Sequence, residues 1–327
     1  MNNRKISLDI LITTYNSQTY VEKLINHIFK TNISLNIDWQ IIIGDDHSLD
    51  HTIDILQKCK SKYGKITIYE ASSNEGPLLI RNELLNLCES DYVVFIDADD
   101  DFEENFFNCI SDNENNDLYL SKRIYKFINS NKYHESLYEL KELDDLIKVY
   151  YIPFFTGLFL KRNVYKNIWS TINEIDKSKL KIYRGEDNIL FFLAYFYAQT
   201  FTINNVYYIY DKTRNDSLVT KKWNYSKISQ QDKKIINVLL EISEKLKTID
   251  ENKVEMLQFL YLRIMFSKCF FFWDGIKTAQ KIKNISINLG VKKIDCKTKV
   301  DKFKKFLIFH PYIFRIVVKT YQILNKN

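Results

Sequence analysis

Four aspartates occupy five consecutive positions in the segment FIDADDD, residues 95–101. Carboxylates at that density repel one another unless a cation lies between them. Asp97 and Asp99 form a D-x-D pair behind an apolar run, and such a pair can point two carboxylates at one hard cation. Phosphate oxygens could complete the coordination shell of this cation, and the cation would then neutralise a departing diphosphate. The segment therefore predicts a divalent cation site, with a solvated acidic turn as the alternative.

Short apolar runs alternate with segments of helical spacing through the first hundred residues. This alternation predicts a parallel, doubly wound sheet, because parallel strands need crossover connections. Ligands of such sheets bind beyond the carboxyl ends of the strands. Polar clusters follow three of these ends, so we expect three loops to converge on one crevice. The predicted strands are 6–13, 39–44, 66–69 and 92–96, a helix with proline in its first turn is 77–88, and the clusters are 13–16, 45–48 and 97–101.

A second acidic pair, Glu186 and Asp187, precedes an apolar segment of helical character. The helix dipole favours ionised carboxylates at a helix N-terminus, and an ionised carboxylate facing a substrate is what a general base requires. A plain N-cap is the alternative interpretation. The other elements predicted beyond Asp117 are strands at 118–120, 154–160 and 202–210, a helix at 186–198, and mostly helical structure from about 226 onward.

The composition is that of a folded globular chain. Its 327 residues are 46% hydrophobic and 27% charged, which predicts one large domain or a domain with an appendage. The five cysteines form no CxxC pair, as expected of buried thiols in a reducing compartment. The N-terminus lacks the apolar stretch of a signal peptide. The most apolar internal run, 189–198, is shorter than the ~20 residues that cross a bilayer. We expect a cytoplasmic protein.

The positive charge is concentrated at the C-terminal end. Residues 296–327 contain seven Lys, one Arg and one Asp, a net charge of +7, so the rest of the chain sums to −1. Such a distribution indicates a local partner and no nucleic-acid binding by the chain as a whole. Residues 302–321 interleave cations with apolar side chains, which is typical of a segment at an anionic membrane surface. Pro311 kinks it. The alternative is a terminal helix that packs on the body with a solvated basic face.

Four segments occur in an order that is specific to one family. They are ILITTYNSQTYVEKLINHIF, IIIGDDHSLDHT, NEGPLLIRNELL and YVVFIDADD. Together they resemble the family 2 glycosyltransferases of the GT-A fold, most closely over residues 6–110, and among them the bacterial enzymes that build surface polysaccharide. The resemblance implies an α/β, Rossmann-like, mostly parallel sheet with a C-terminal helical extension. The implied domains are a nucleotide-sugar-binding half at 1–110, an acceptor-binding half at 111–225, and a helical extension with the basic tail at 226–327.

The resemblance also implies which residues hold the nucleotide. Thr13, Tyr15 and Asp46 would hold the uracil and the ribose. Arg81, in the IRN segment that matches the family's ARN, would lie near the nucleotide. For Thr13 and Tyr15 the alternative is a plain turn, and for Arg81 it is a surface cation on a helix.

The aspartate segment divides into two pairs. By the resemblance, Asp97 touches the ribose and Asp99 coordinates Mn²⁺ or Mg²⁺. The family's aspartate run usually stops sooner, so Asp100 and Asp101 are expected to form an acidic cluster at a helix N-terminus.

The downstream motif RGED resembles the family's GED element. By that resemblance Asp187 is the general base and Glu186 binds the acceptor. The segment DKTRNDS is similar to a Tyr-x-x-Arg-x-x-Ser region of the family, but the spacing to Arg214 is one residue longer than usual, so no role is assigned to it.

The implied activity is an inverting, metal-assisted transfer of a hexose or N-acetylhexosamine. The donor is a UDP-sugar, the acceptor is a saccharide or lipid-linked saccharide of lipopolysaccharide or capsule, and the site of action is the inner face of the cytoplasmic membrane. A sugar-phosphate nucleotidyltransferase is the first alternative, but it needs a glycine-rich N-terminal loop, and LITTYNSQ has no glycine. The second is a non-catalytic, membrane-tethered sugar-binding relative, against which Asp97, Asp99 and Asp187 argue.

Overall fold

The computed structural model describes residues 5–110, 115–127, 130–136, 155–211 and 225–254. These residues belong to two compact units. The first takes its described residues from Met1–Glu139 and Phe154–Lys222, and the second takes residues 225–254 from Trp223–Asn327. The basic tail and Arg214 lie outside the described residues.

Up to Asp97 the first unit alternates strands and helices as predicted. Its strands are β1 Ile6–Thr14, β2 Ile37–Asp45, β3 Ile66–Glu70, β4 Tyr92–Asp97, β5 Asp101–Phe102, β6 Leu118–Phe127, β7 Ser130–Ser136, β8 Leu158–Lys161 and β9 Phe201–Asp211. Its helices are α1 Val21–Lys30, α2 Thr52–Tyr63, α3 Pro77–Leu87, α4 Arg162–Asn173, α5 Lys177–Leu180 and α6 Asp187–Tyr197, with a 3₁₀ helix at Phe106–Ile110.

One sheet joins all nine strands, in the order β3-β2-β1-β4-β8-β6-β9-β5, with β7 beside β6. The first four strands in this order run parallel. Beyond β4 the sheet is mixed, because β8 is antiparallel to both of its neighbours, β9 is parallel to β6, and β5 is antiparallel to β9. The expectation of a mostly parallel sheet therefore describes its first half.

The strand register brings the three polar clusters together. Thr13, near the end of β1, lies opposite Gly44 on one side and Asp97 on the other. The carboxyl ends of β1, β2 and β4 therefore meet at one edge of the sheet, as parallel strands require.

The core explains why residues 10–12 of β1 form a continuous apolar run. Leu8, Ile10, Leu11 and Ile12 are all fully buried, because helices cover both faces of a parallel sheet. Helix α3 packs especially close to β2. A Cβ at Gly44 would lie 2.6 Å from Cγ2 of Ile80, so the absence of a side chain there lets α3 approach the sheet.

The described part of the second unit contains helix α7, Tyr225–Leu246. Ile235, Leu239, Ile242 and Leu246 are buried at helical spacing along it, which is the pattern of an amphipathic helix. The prediction of helix after residue 226 is thus confirmed for this segment. Across both units, no helix within the described ranges has the length and apolar character needed to cross a membrane.

Candidate active site

The loop after β1 is fastened to the loop after β2 by side-chain hydrogen bonds. The buried carboxylate of Asp45 accepts hydrogen bonds from Thr14 Oγ1 at 2.8 Å, from Ser48 Oγ at 2.6 Å and from the Ser48 backbone N–H at 2.7 Å. Ser48 Oγ in turn accepts from the backbone N–H of Asn16 at 2.8 Å, and Asn16 has a left-handed φ of 50°. This network fixes the wall of the crevice on which Tyr15 is 41% exposed.

Asp46 follows directly and binds a different loop. Its buried carboxylate accepts the backbone N–H groups of Glu75 at 2.6 Å and Gly76 at 2.9 Å. Burial raises the pKa of Asp46, and these two hydrogen bonds oppose the rise. Asp46 therefore fixes the loop that leads into α3. Its contact with the nucleotide stays a prediction.

Arg81 projects from α3 into a cluster of three carboxylates. Its Nη2 donates to Asp97 Oδ1 at 2.8 Å, while Nη1 donates to Glu186 Oε1 at 2.9 Å and to Asp187 Oδ1 at 2.5 Å. The Arg81 side chain is only 3% exposed. The strand end after β4 and the RGED segment, which are about 90 residues apart in the chain, therefore meet at one guanidinium.

The backbone before α6 presents the two acidic residues. Gly185 has a φ of 79°, which favours glycine, and its carbonyl accepts hydrogen bonds from the backbone and side chain of Asn188. Glu186 is the N-cap of α6 and Asp187 its first residue. Burial and the neighbouring Asp187 charge raise the pKa of Glu186 to about 7, although Arg81 opposes the rise.

The aspartate turn after β4 can hold a hard cation. One carboxylate oxygen from each of Asp97, Asp99 and Asp100 lies within 4.8 Å of the other two. Oxygen donors at this spacing suit Mg²⁺ or Mn²⁺. The residues present therefore fit the metal that the resemblance implies, with Asp100 as an additional candidate ligand.

The expected helix N-terminal cluster at Asp100 and Asp101 is wrong. Asp101 begins strand β5 and lies opposite Ile209 of β9. Asp100 is buried and accepts a hydrogen bond from the Tyr208 hydroxyl at 2.8 Å. Pairing with β9 takes the chain away from helical geometry, and the next helix begins only at Phe106.

Residues from the second half of the sheet complete the cluster, and sequence reasoning missed them. Tyr208 of β9 is fully buried, and its hydroxyl also accepts the backbone N–H of Asp97 at 3.1 Å. The Arg123 guanidinium lies over the Tyr208 ring at 4.7 Å and donates to the carbonyl and hydroxyl of Thr156. In the sequence, Tyr208, Arg123 and Thr156 stand out only as residues within predicted strands or close to them. Such a position does not indicate which side chains they contact.

Comparisons with known proteins agree with this architecture. The chain matches the family model of glycosyl transferase family 2 over residues 9–172, just over half of its length. The poly(ribitol-phosphate) beta-glucosyltransferase of Bacillus spizizenii is 30% identical over 96 residues, which are 29% of this chain and 15% of that protein. The poly(ribitol-phosphate) beta-N-acetylglucosaminyltransferase TarS of Staphylococcus aureus is 31% identical over 96 residues, 29% of this chain and 16% of that protein. The matched segments thus span about one sixth of these relatives.

A solved structure supports the fold over nearly the whole chain. The crystal structure of S. aureus TarS 1–349 in complex with UDP-GlcNAc has a TM-score of 0.64 and 18% sequence identity, and the match covers 97% of this chain and 92% of that chain. At that identity the likeness establishes the fold, and the predicted α/β class of GT-A type is confirmed. Since the family model also spans the β1 to α4 region that carries Asp46, Arg81 and the aspartate turn, the chain belongs to glycosyl transferase family 2.

Proposed function

We propose that this chain is an inverting glycosyltransferase that moves a hexose or N-acetylhexosamine from a UDP-sugar to a saccharide acceptor of a bacterial surface polysaccharide. The proposal is supported by TarS, whose structure holds UDP-GlcNAc. It is also supported by the relatives' names, which specify beta-linked products, because inversion of an α-linked UDP-sugar gives a β-linkage. Those names add a polyol-phosphate polymer to lipopolysaccharide and capsule as acceptor classes.

The observation that carries the proposal is the shared guanidinium of Arg81. It contacts Asp97 on the donor side and Asp187 on the acceptor side. A donor sugar and an acceptor hydroxyl have to meet within ~3–3.5 Å for reaction. Because one guanidinium binds both the donor loop and the base, it keeps the two sides of the site close enough for donor and acceptor to react.

In this mechanism Asp187 acts as the general base. Arg81 engages its Oδ1, so we assign Oδ2 to the proton of the acceptor hydroxyl. As that proton moves to Asp187, the hydroxyl oxygen bonds to the anomeric carbon. The bond from that carbon to the UDP oxygen breaks on the opposite face, and its electron pair leaves with UDP. Glu186 then serves to bind the acceptor.

The remaining residues hold the donor. Thr13, Tyr15 and Asp46 are proposed to contact uracil and ribose, and Asp97 the ribose. Asp99, with Asp97 or Asp100, would hold Mn²⁺ or Mg²⁺, which would neutralise the negative charge that develops on the diphosphate.

A donor screen tests this function. UDP-glucose, UDP-galactose, UDP-GlcNAc and UDP-GalNAc would be incubated with the chain and Mn²⁺ or Mg²⁺, and UDP release would be measured. We expect release from at least one donor and its loss with EDTA. A chain that neither binds UDP nor releases it would be a non-catalytic relative. Release of pyrophosphate from UTP and a sugar phosphate would instead indicate a nucleotidyltransferase.

We also propose a peripheral location at the anionic inner face of the cytoplasmic membrane, where a lipid-linked acceptor would be presented. The support comes from the sequence alone, in the net charge of +7 over residues 296–327. Each cation near such a surface contributes about 1 kcal/mol. The full chain should co-sediment with anionic vesicles at low salt and be released partly by high salt. Replacing Lys304 and Lys305 with Glu should weaken this binding, and equal binding to neutral vesicles would contradict the proposal.

A further inference from the structure

Arg81 uses its two terminal nitrogens for two different parts of the chain. Nη2 donates a hydrogen bond to Asp97 at the end of β4, and Nη1 donates to Glu186 and Asp187 at the start of α6. A planar guanidinium holds its nitrogens in a rigid fork, so it sets the orientation of both groups relative to each other.

The Arg81 side chain is buried, and its terminal nitrogens already have carboxylate partners. Arg81 is 3% exposed, and its Nε–H is buried with no hydrogen-bond partner among the residues that the structure describes. The guanidinium thus gives up a hydrogen bond at Nε while both terminal nitrogens stay on carboxylates. Both N–H groups of Nη1 are on carboxylates, so a nucleotide phosphate or ribose could reach that nitrogen only by displacing Glu186 or Asp187. Burial of the whole side chain restricts access to Nη2.

The charges favour the same arrangement. Burial acts to lower the pKa of Arg81, but the combined negative charge of Asp187, Asp97 and Glu186 outweighs burial and raises it. Without the cation, three acidic groups would lie together in a poorly solvated site and repel one another. Arg81 therefore holds together groups that would otherwise separate.

The position of Arg81 is itself determined by the backbone. Helix α3 begins after Gly76, whose N–H is held by Asp46. The close approach of α3 to β2 at Gly44 brings the guanidinium over the end of β4, where its central carbon lies 6.0 Å from the centre of the Phe95 ring.

We propose that Arg81 is a positioning residue that couples the donor loop to the general base and makes no contact with the nucleotide. This inference rests on the proposed function and departs from the nucleotide contact that the sequence resemblance implies. Arg81 engages Oδ1 of Asp187, so it determines which carboxylate oxygen receives the acceptor proton. It also keeps Asp97 and Asp187 at a fixed separation.

The test is Arg81→Lys, which keeps the charge but replaces a fork with a single ammonium group. One ammonium cannot occupy both nitrogen positions, so the Glu186–Asp187 pair should move away from Asp97, whose backbone stays fixed opposite Thr13 and on the Tyr208 hydroxyl. Misplacement on the scale of ~1 Å can lower a rate by about 10²-fold. We expect kcat for transfer to fall by that order, with the dissociation constant of UDP, measured by calorimetry, changing less than about threefold. Arg162→Lys is the matched control, since Arg162, the first residue of α4, is partly exposed and pairs with Glu89.

The outcomes separate the possibilities. If Arg81→Lys weakens UDP binding tenfold or more while kcat is kept, Arg81 is a nucleotide contact and the inference is wrong. Unchanged kcat and UDP affinity would also overturn it. If the wild-type chain neither binds UDP nor transfers sugar, the proposed function fails first and the inference falls with it. Circular dichroism of the variant distinguishes these results from unfolding. Arg81→Gln keeps a planar hydrogen-bonding group, and it tests a second time whether kcat falls while UDP affinity is kept.

Discussion

The Tyr208 hydroxyl donates a hydrogen bond to Oδ2 of Asp100 at 2.8 Å and accepts one from the backbone N–H of Asp97 at 3.1 Å. This pair of bonds joins β9 to the turn that carries the candidate metal ligands. Burial and the Asp100 charge raise the pKa of Tyr208 well above its ordinary value, so the hydroxyl keeps its proton and remains a donor. A Cβ at Gly157 would lie 2.8 Å from the Tyr208 ring, which shows how tightly the ring is held.

Tyr208→Phe should loosen this turn. Loss of buried hydrogen bonds should lower the free energy of unfolding by about 1–3 kcal/mol, as measured by urea denaturation. Mn²⁺ affinity, measured by calorimetry, should also fall because Asp100 loses its orientation. Tyr119→Phe is the control, since Tyr119 is equally buried and its hydroxyl bonds to Asn116. A drop in stability with unchanged Mn²⁺ affinity would remove Tyr208 from the metal site.

Asp99→Ala should abolish metal-dependent release of UDP and leave the fold intact, because the apolar strand before the turn is unchanged. Asp38→Ala is the matched control. Asp38 is an exposed carboxylate near the amino end of β2, at the opposite edge of the sheet from the candidate site. Full activity of Asp99→Ala, measured over a Mn²⁺ titration, would contradict the metal assignment.

Glu186 should make the stability of the protein depend on pH. Its pKa is raised from 4.5 to about 7, so between these values the folded state binds more protons than the unfolded state. Stability that is present below about pH 4.5 is then lost as the pH rises to about 7, with a slope of at most about 1.4 kcal/mol per pH unit.

Glu186→Gln removes this titration. The difference in unfolding free energy, wild type minus Glu186→Gln, should therefore decline from pH 4.5 to pH 7, while contributions from Asp97 and other groups present in both proteins largely cancel. Urea denaturation at a series of pH values measures it. A constant difference would mean that Glu186 keeps an ordinary pKa despite its contacts with Arg81 and Asp187.

Gly76→Ala should displace helix α3. Gly76 has a φ of 91°, and a Cβ there would lie 2.8 Å from the carbonyl oxygen of Ile182. Gly64→Ala is a matched control, because Gly64 has a φ of 71° with nothing within 4 Å of the added Cβ. Strained backbone alone costs about 1–3 kcal/mol, so thermal or urea unfolding should show a larger loss for Gly76→Ala. Equal losses of stability in the two variants would mean that the loop before α3 makes room for the added Cβ at no energetic cost.

The sequence was sufficient to predict the strands and helices of the first hundred residues, but not β5, β7, α4 and α5 or the contacts between elements. Strands β1, β2 and β4 could be predicted because each is an apolar run that ends in polar residues. The strand expected from residue 154 begins only at Leu158, because Gly157 adopts a φ of 76° just before it. The partners of Arg81 at α6 lie 105 and 106 residues away, and no local pattern specifies such a pairing. Asp101 was misassigned for the same reason, since its partner strand β9 lies about 100 residues downstream.

The most direct test of the general-base assignment is the effect of Asp187→Asn on transfer and on nucleotide binding, measured in the same preparation. The amide keeps the size of the side chain and can still accept from Arg81 through its oxygen, but it cannot take the acceptor's proton. Loss of a general base typically lowers kcat about 10²–10⁴-fold, so we expect a fall in that range with UDP-sugar affinity nearly unchanged. Wild-type rates of transfer in Asp187→Asn, or a loss of nucleotide binding that matches the loss of rate, would contradict the assignment of Asp187 as the base.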